Sequence, residues 1–368
     1  MRRKKRRKYR AIIIDLRKIS RFFVFSLIFA VFFSSMFFVG NKNGIDIEQK
    51  IKNVLSFFIG FEPWDVSTVL ESELALKITE EKDETEPVYN PEGVDVSETS
   101  PSPPVKAGKH NIKEIDSSQV KSLSGTDKKI LLKNETNFSV DISSMLKAKM
   151  PVQLKFNGPE ILILHTHATE SYSEEGAVSY KTSDLDRTQD TEKNIVKVGE
   201  KMAEIFRENG IETIHDKTLH DYPNYNGSYS NSLKTAQAYL KKYPNIKMII
   251  DVHRDAIVYG DGTKAKVLTE IDEKKAAQLM FVIGTNAGGL EHPLWEKNLC
   301  TAVKLQAAIE QKYPGLMRGI NLRKERFNEH LTTGSMILEV GTSGNTLSES
   351  LYSAQLAAKV IADTLKLF

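Results

Sequence analysis

Two rhythms of apolar and polar positions run through the second half of the chain. Short apolar runs occur at 161–164 ("ILIL"), 211–215, 247–252, 279–284 and 335–340. Several are continuously apolar, as "MII" and "MFVI" show, which predicts strands covered on both faces. Between them, 192–208, 231–242, 294–313 and 346–366 read as helices. "ENGIETIHD" (208–216) is the pattern of a helix that stops at a glycine and feeds a strand. Alternating strands and helices predict an α/β domain with a mostly parallel sheet flanked by helices. A single domain over 126–368, about 240 residues, is the economical count.

The first third is different. Residues 1–10, "MRRKKRRKYR", hold eight Lys or Arg and no acid, although the whole chain has a net charge of only +3. Residues 22–39, "FFVFSLIFAVFFSSMFFV", are eighteen residues without a charge. At about 1.5 Å per residue this run just crosses a hydrocarbon core of roughly 30 Å. The expected order is a basic cytoplasmic tail at 1–21, a transmembrane anchor at 22–40 and the remainder outside the cytoplasm. No clear A-x-A site follows the run, so an uncleaved anchor is expected rather than a signal peptide. A basic head directly before a membrane span speaks for membrane and against nucleic acid.

Residues 41–78 form a juxtamembrane segment, in which Ile47, Ile51, Val54, Leu55 and Phe58 recur at helical spacing. That spacing suits a helix lying on the membrane surface or a stalk that packs on something else. From 79 to 125, Pro87, Pro91, Pro101, Pro103 and Pro104 sit among Ser, Thr, Glu and Lys. Such a composition buries too little surface to offset its ordering entropy and predicts a flexible linker. The single cysteine, Cys300, excludes an intramolecular disulfide framework and a Cys-based zinc knuckle.

Three segments place ionisable residues at predicted strand ends, where open α/β sheets carry their sites. "ILILHTHATE" gives His165, His167 and Glu170; "MIIDVHRDA" gives His253, Arg254 and Asp255; "MILEVGTSGN" gives Glu339. Two imidazoles and one carboxylate suit Zn²⁺ and leave a fourth position for water, as in hydrolytic zinc sites. A further carboxylate is needed to move protons, and Glu339 is the candidate, with an apolar flank that raises its pKa. The bland alternative is a salt bridge from Glu339 to Arg323 or Arg326. Ser171 lacks a G-x-S-x-G elbow, which argues against a serine hydrolase.

"GPEILILHTHATESY", "DYPNYNGSY" (221–229), "IDVHRDA" and "ILEVGTSGNTLSES" occur in that order. In this they resemble the stage II sporulation protein P family of endospore-forming bacteria, over roughly 130–368. The resemblance implies a zinc amidase-like fold and a membrane-anchored peptidoglycan hydrolase active in sporulation engulfment. It implies cleavage of the N-acetylmuramoyl-L-alanine amide, and of peptide cross-links besides. It implies work with stage II sporulation protein D and other engulfment proteins in the septal space between forespore and mother cell. Carried over residue by residue, His253 matches a metal histidine and Glu339 the catalytic glutamate. The first ligand lies in "HTH", and His165 is preferred over His167 because it directly ends the strand. Glu170 is preferred as carboxylate ligand over Glu192. The chain departs from the pattern at "RFNEHL" (326–331), where Tyr-Asn-Gln is expected and Phe327 and Glu329 stand. His110, His215, His220, His292 and His330 are expected to be surface or supporting groups. The alternative function is a non-catalytic peptidoglycan-binding or scaffold protein.

Overall fold

The computed structural model describes residues 108–116, 130–182 and 186–367. The expected tail, anchor and juxtamembrane segment (1–78) lie outside these residues. Among the described residues no helix is long and apolar enough to cross a membrane.

The strands are β1 (Lys109–Asp116), β2 (Leu132–Asn134), β3 (Ile161–Leu164), β4 (Ser179–Lys181), β5 (Thr213–His215), β6 (Met248–Asp255), β7 (Lys264–Ile271), β8 (Lys274–Ala277), β9 (Leu279–Ile283), β10 (Ile320–Leu322) and β11 (Met336–Thr342). The helices are α1 (Ile142–Lys147), α2 (Ile195–Glu208), α3 (Ser228–Lys242), α4 (Trp295–Lys312) and α5 (Leu347–Leu365). Every predicted strand and helix is present within a few residues of its expected bounds.

Seven strands form the larger sheet in the order β2-β10-β9-β11-β6-β3-β5, and four form a second sheet, β4-β1-β7-β8. Both sheets are mixed, which corrects the expectation of one mostly parallel sheet. In the larger sheet β9 runs antiparallel to β11. In the smaller one β1 is antiparallel to β4, β8 is antiparallel to β7, and only β1 with β7 is parallel.

The larger sheet is buried on both faces, and its side-chain alternation decides what each face carries. Ile161 and Ile163 of β3 and Ile250 and Val252 of β6 join the main core with α2, α4 and α5. Leu162, Leu164 and Ile249 face the other way, onto Ala236, Tyr239 and Leu240 of α3. Helix α2 starts at Asn194, whose side chain caps Val196, and buries Ile195, Val198, Met202 and Phe206. Helix α5 starts with a capping box between Thr346 and Glu349.

Six strands, β1, β2, β4, β7, β8 and β10, and the short helix α1 escaped the sequence pattern, and two cases show why. Residues 109–116, inside the expected linker 79–125, form β1, which pairs in register with β7 from Ile112↔Lys264 to Asp116↔Leu268. Backbone pairing holds this polar strand, with Lys275 on Glu114 at 2.7 Å, so its composition resembles a linker. The hairpin β7–β8 turns on Asp272 and Glu273, both at positive φ. Its inward positions include Lys264, paired with Asp186, and Lys266, 2.7 Å from Glu349. Charged residues at buried positions hide the alternation.

The departure at "RFNEHL" also resolves physically. Glu329 is 3 % exposed, and its Oε2 accepts the Gly284 N–H at 2.8 Å. Burial, with the Asp251 charge adding to it, pushes its pKa well above the ordinary 4.5. Burial thus biases Glu329 towards the neutral acid, which is close in shape and charge to the expected Gln. The unfolded chain loses this proton near pH 4.5, while the folded chain holds it to higher pH. Stability thus falls as pH rises from there towards the folded-state pKa. Glu329→Gln is expected to raise the melting temperature at pH 7, with the gain shrinking towards pH 4.5. Thermal melts across that range check it, and a uniform loss at every pH would contradict the account.

Candidate metal-type active site

Strands β3, β6 and β11 are parallel neighbours, so their carboxyl ends share one edge. Glu339 is the Cα partner of His253, and Leu164 that of Asp251. Since Leu338 and Val252 point into the main core, Glu339 and His253 lie together on the face that carries α3.

The loop after β3 brings Glu170 and His167 to that face. Glu170 Oε2 accepts the Arg254 N–H at 3.0 Å and lies 3.6 Å from His253 Nδ1. The His167 ring stands edge-on to His253 with centroids 5.3 Å apart, and stacks on Tyr225 at 4.7 Å. Arg187 covers the Tyr225 ring at 4.4 Å, 2.7 Å from Asp221 and 3.9 Å from Glu170. Arg254 fastens the loop, donating from Nε to Ser171 O and from Nη2 to Asp186 O. Tyr172 hydroxyl donates to Val340 O and ties the same loop to β11.

His165 goes elsewhere. It continues the Ile161–Ile163 alternation onto the α2 face, opposite to His253. Its Nδ1–H donates to Val252 O at 2.9 Å, so the Nε2 lone pair accepts from His215 Nε2, also at 2.9 Å. Burial drives its pKa down to about 4. A Cβ on Gly199 of α2 would stand 2.5 Å from the ring, so helix and imidazole are in contact. In this structure His167, rather than His165, stands beside Glu170 and His253. Glu192 is solvent-exposed and paired with Lys197 at 2.7 Å, away from this cluster.

The charges are strongly coupled. Burial favours neutral His253, but Asp251, Glu170 and Glu339 outweigh it and lift its pKa to about 10. Its Nε2 is 2.9 Å from Asp251 Oδ1, a short contact in which the N–H points off the line to the oxygen. Burial also raises Glu170, yet Arg254, His253, His167 and Arg187 together bring it below the ordinary carboxylate value. Burial and the Asp255 charge push Glu339 up to about 8. Its Oε2 is buried with no hydrogen-bond partner among the described residues, although the residue keeps some open surface. Neither arginine considered for a salt bridge reaches it: Arg323 pairs with Glu325 and Glu135, and Arg326 donates to Glu291 O. Arg318, at 2.7 Å from Asp255, is the nearby cation.

Among the described residues no three His, Cys, Asp or Glu side chains converge tightly enough to define a metal position by themselves. The donor chemistry nevertheless fits a tetrahedral ion. Two imidazoles bound through about 2.0 Å hold their centroids roughly 5 Å apart, with neighbouring donor atoms roughly 3.3 Å apart. The observed 5.3 Å and 3.6 Å are of that size, and 3.6 Å is too long for a hydrogen bond.

Sequence reasoning assigned no role to Asp251, Arg187 or Tyr225. The signal for Asp251 was its place two residues before His253 on a strand. The supporting histidines are more buried than expected, His220 at 3 % and His292 at 1 % exposure.

The sequence model of the stage II sporulation protein P family matches residues 65–362. Stage II sporulation protein P of Bacillus subtilis (strain 168) is 29 % identical over 224 residues, covering 58 % of this chain. The match spans 53 % of that relative's length. Two solved structures are similar at low identity. The N-acetylmuramoyl-L-alanine amidase AmiC2 of Nostoc punctiforme is 13 % identical, covering 57 % of this chain and 97 % of that one, at a TM-score of 0.32. The CwlD amidase from Clostridioides difficile, solved in complex with the GerS lipoprotein, is 15 % identical, covering 57 % and 100 %, at a TM-score of 0.31. The family's pattern runs through the motifs that build this strand-end cluster, and the chain belongs to the stage II sporulation protein P family.

Proposed function

We propose that this chain is a zinc-dependent peptidoglycan hydrolase that cleaves the amide between N-acetylmuramic acid and L-alanine, and peptide cross-links besides. His167, Glu170 and His253 are the ligands in this reading, and Glu339 is the proton carrier. The observation that carries it is the meeting of His167, Glu170 and His253 with a protonatable Glu339 on one face of the β3–β6–β11 edge. The basic head and uncharged run 22–39 would anchor the chain with this site outside the cytoplasm, where septal peptidoglycan and stage II sporulation protein D are the partners.

Bound Zn²⁺ supplies a Lewis acid that polarises the scissile carbonyl and favours ionisation of water. The remaining chemistry belongs to the chain. Burial and the Asp255 charge lift Glu339 to about 8, so its carboxyl can both hold and release a proton near the working pH. Glu339 then takes the proton of the attacking water and delivers it to the leaving amine nitrogen. Arg254 and Arg187 keep Glu170 ionised and fix its loop. Tyr225 and Arg187 form the outer wall beside His167, a stacked surface that would orient the substrate.

Ligands and base make different demands on a variant. Glu339→Gln is expected to retain zinc and lose about 10²–10⁴-fold in turnover of purified peptidoglycan. Loss of zinc, or normal turnover, would refute the role of Glu339.

A second pair of variants separates the two histidines of "HTH". His167→Ala is expected to abolish zinc binding in a folded protein. His165→Ala is expected to lower the melting temperature through the lost α2-face packing while zinc is retained. Metal analysis beside thermal melting reads both, and the reverse pattern would return the ligand role to His165.

A further inference from the structure

His253 presents Nδ1 to Glu170 and Nε2 to Asp251. Asp251 and His253 are two residues apart on β6, so both point to the α3 face. Asp251 is itself firmly held. Its Oδ1 accepts the Thr166 N–H at 2.8 Å, and its Oδ2 accepts the Thr166 hydroxyl at 2.5 Å. Thr166 is the middle residue of "HTH", placed on this face by the same alternation that sends His165 to the other.

The hydrogen-bond directions beyond Thr166 follow from its donor to Asp251. An ionised carboxylate only accepts, so Thr166 spends its one hydroxyl proton on Asp251. Ser232 Oγ of α3 then has two acceptors for its own proton, Thr166 Oγ1 at 2.7 Å and Tyr229 O at 3.2 Å, and the shorter contact points it to Thr166. Ser232 Oγ in turn accepts from Asn328 Nδ2 at 3.0 Å, and the same amide donates to Tyr229 O at 2.9 Å. Thr166 and Ser232 are fully buried, and Asp251 and His253 nearly so. The result is a one-way chain of donors from Asn328 through Ser232 and Thr166 to Asp251, shielded from water, where such chains polarise one another.

We propose that Asp251 is a positioning residue for the His253 imidazole, and that the Ser232–Thr166 hydroxyl chain couples its placement to the loop bearing Asn328. The proposal rests on the reading that His253 binds zinc. A carboxylate on the far nitrogen of a ligand histidine fixes ring orientation and raises ligand basicity, and its loss costs about 10–100-fold in metal affinity. Asp251 places that carboxylate 2.9 Å from His253 Nε2, where a small turn of the ring brings the N–H into line, and Thr166 holds it there. The loop 326–331, where the sequence departs from the family pattern, thereby reaches the site through Asn328.

Calorimetric titration of the full-length protein with zinc alone tests this, with a metal-free thermal melt for each variant. Asp251→Asn is expected to bind zinc about 10–100-fold more weakly than wild type. Thr166→Val, which removes the hydroxyl donor, is expected to weaken binding in the same direction, and Thr166→Ser, which keeps that donor, to return wild-type affinity. Asn328→Ala, remote from the ligands, is expected to give a smaller loss at an unchanged melt. Wild-type affinity in both Asp251→Asn and Thr166→Val would overturn the proposal while leaving the ligand assignment intact. Rescue failure in a folded Thr166→Ser would overturn the hydroxyl chain. A wild-type protein that takes up no zinc would defeat the ligand assignment itself, and the proposal with it.

Discussion

The site depends on a single register. Pairing Glu339 with His253, and Leu164 with Asp251, sets two carboxylates and an imidazole on the α3 face of the larger sheet. Strand side chains alternate with a period of two, so a slip of one residue in β6 would send His253 and Asp251 into the apolar core. The core enforces the register from the other side. Ile250, Val252 and Leu338 are each at most 1 % exposed, and none of those places tolerates a charge. Apolar packing on one face of the sheet thus fixes the chemistry on the other.

Within that frame the site is a balance of opposed charges. Asp251, Glu170 and Glu339 surround one imidazole, with Asp255 acting on Glu339 and with Arg254, Arg187 and Arg318 on the periphery. The arginines neutralise the outer carboxylates and anchor loops. His253 is left as the cation among acids, with its pKa lifted to about 10. Such an excess of negative donors around an imidazole favours a divalent cation, and it adds to the burial that lifts Glu339 to about 8 against the offset from His253 and Arg318.

Much of this was legible in the sequence because the relevant signals are local. The runs at β3, β6, β9 and β11 are apolar enough to announce strands, and His253 and Glu339 stand where those runs end. What was missed required a second strand or a second face. His165 and His167 differ by two residues, yet the strand ends at Leu164 and the loop turns between them and the site. Proximity to the strand end therefore favoured His165, while the alternation from Ile163 places it against α2. β1 was read as linker because its stability comes from backbone pairing rather than apolar burial. β7 was missed because Lys264 and Lys266 occupy inward positions whose partners, Asp186 and Glu349, are about eighty residues away in sequence. Glu329 looked like an added charge, and only burial reveals the bias of its carboxyl towards the neutral form.

The central claim is that His167, Glu170 and His253 share one metal ion. Crystals of the protein grown with zinc and measured on both sides of the zinc absorption edge would locate that ion directly. The account predicts one strong anomalous peak within about 2.0–2.2 Å of an imidazole nitrogen of His167, of His253 Nδ1 and of a Glu170 oxygen. Glu339 should lie beside the ion without binding it. A peak between His165 and His215, or no peak at the edge of β3, β6 and β11, would contradict it.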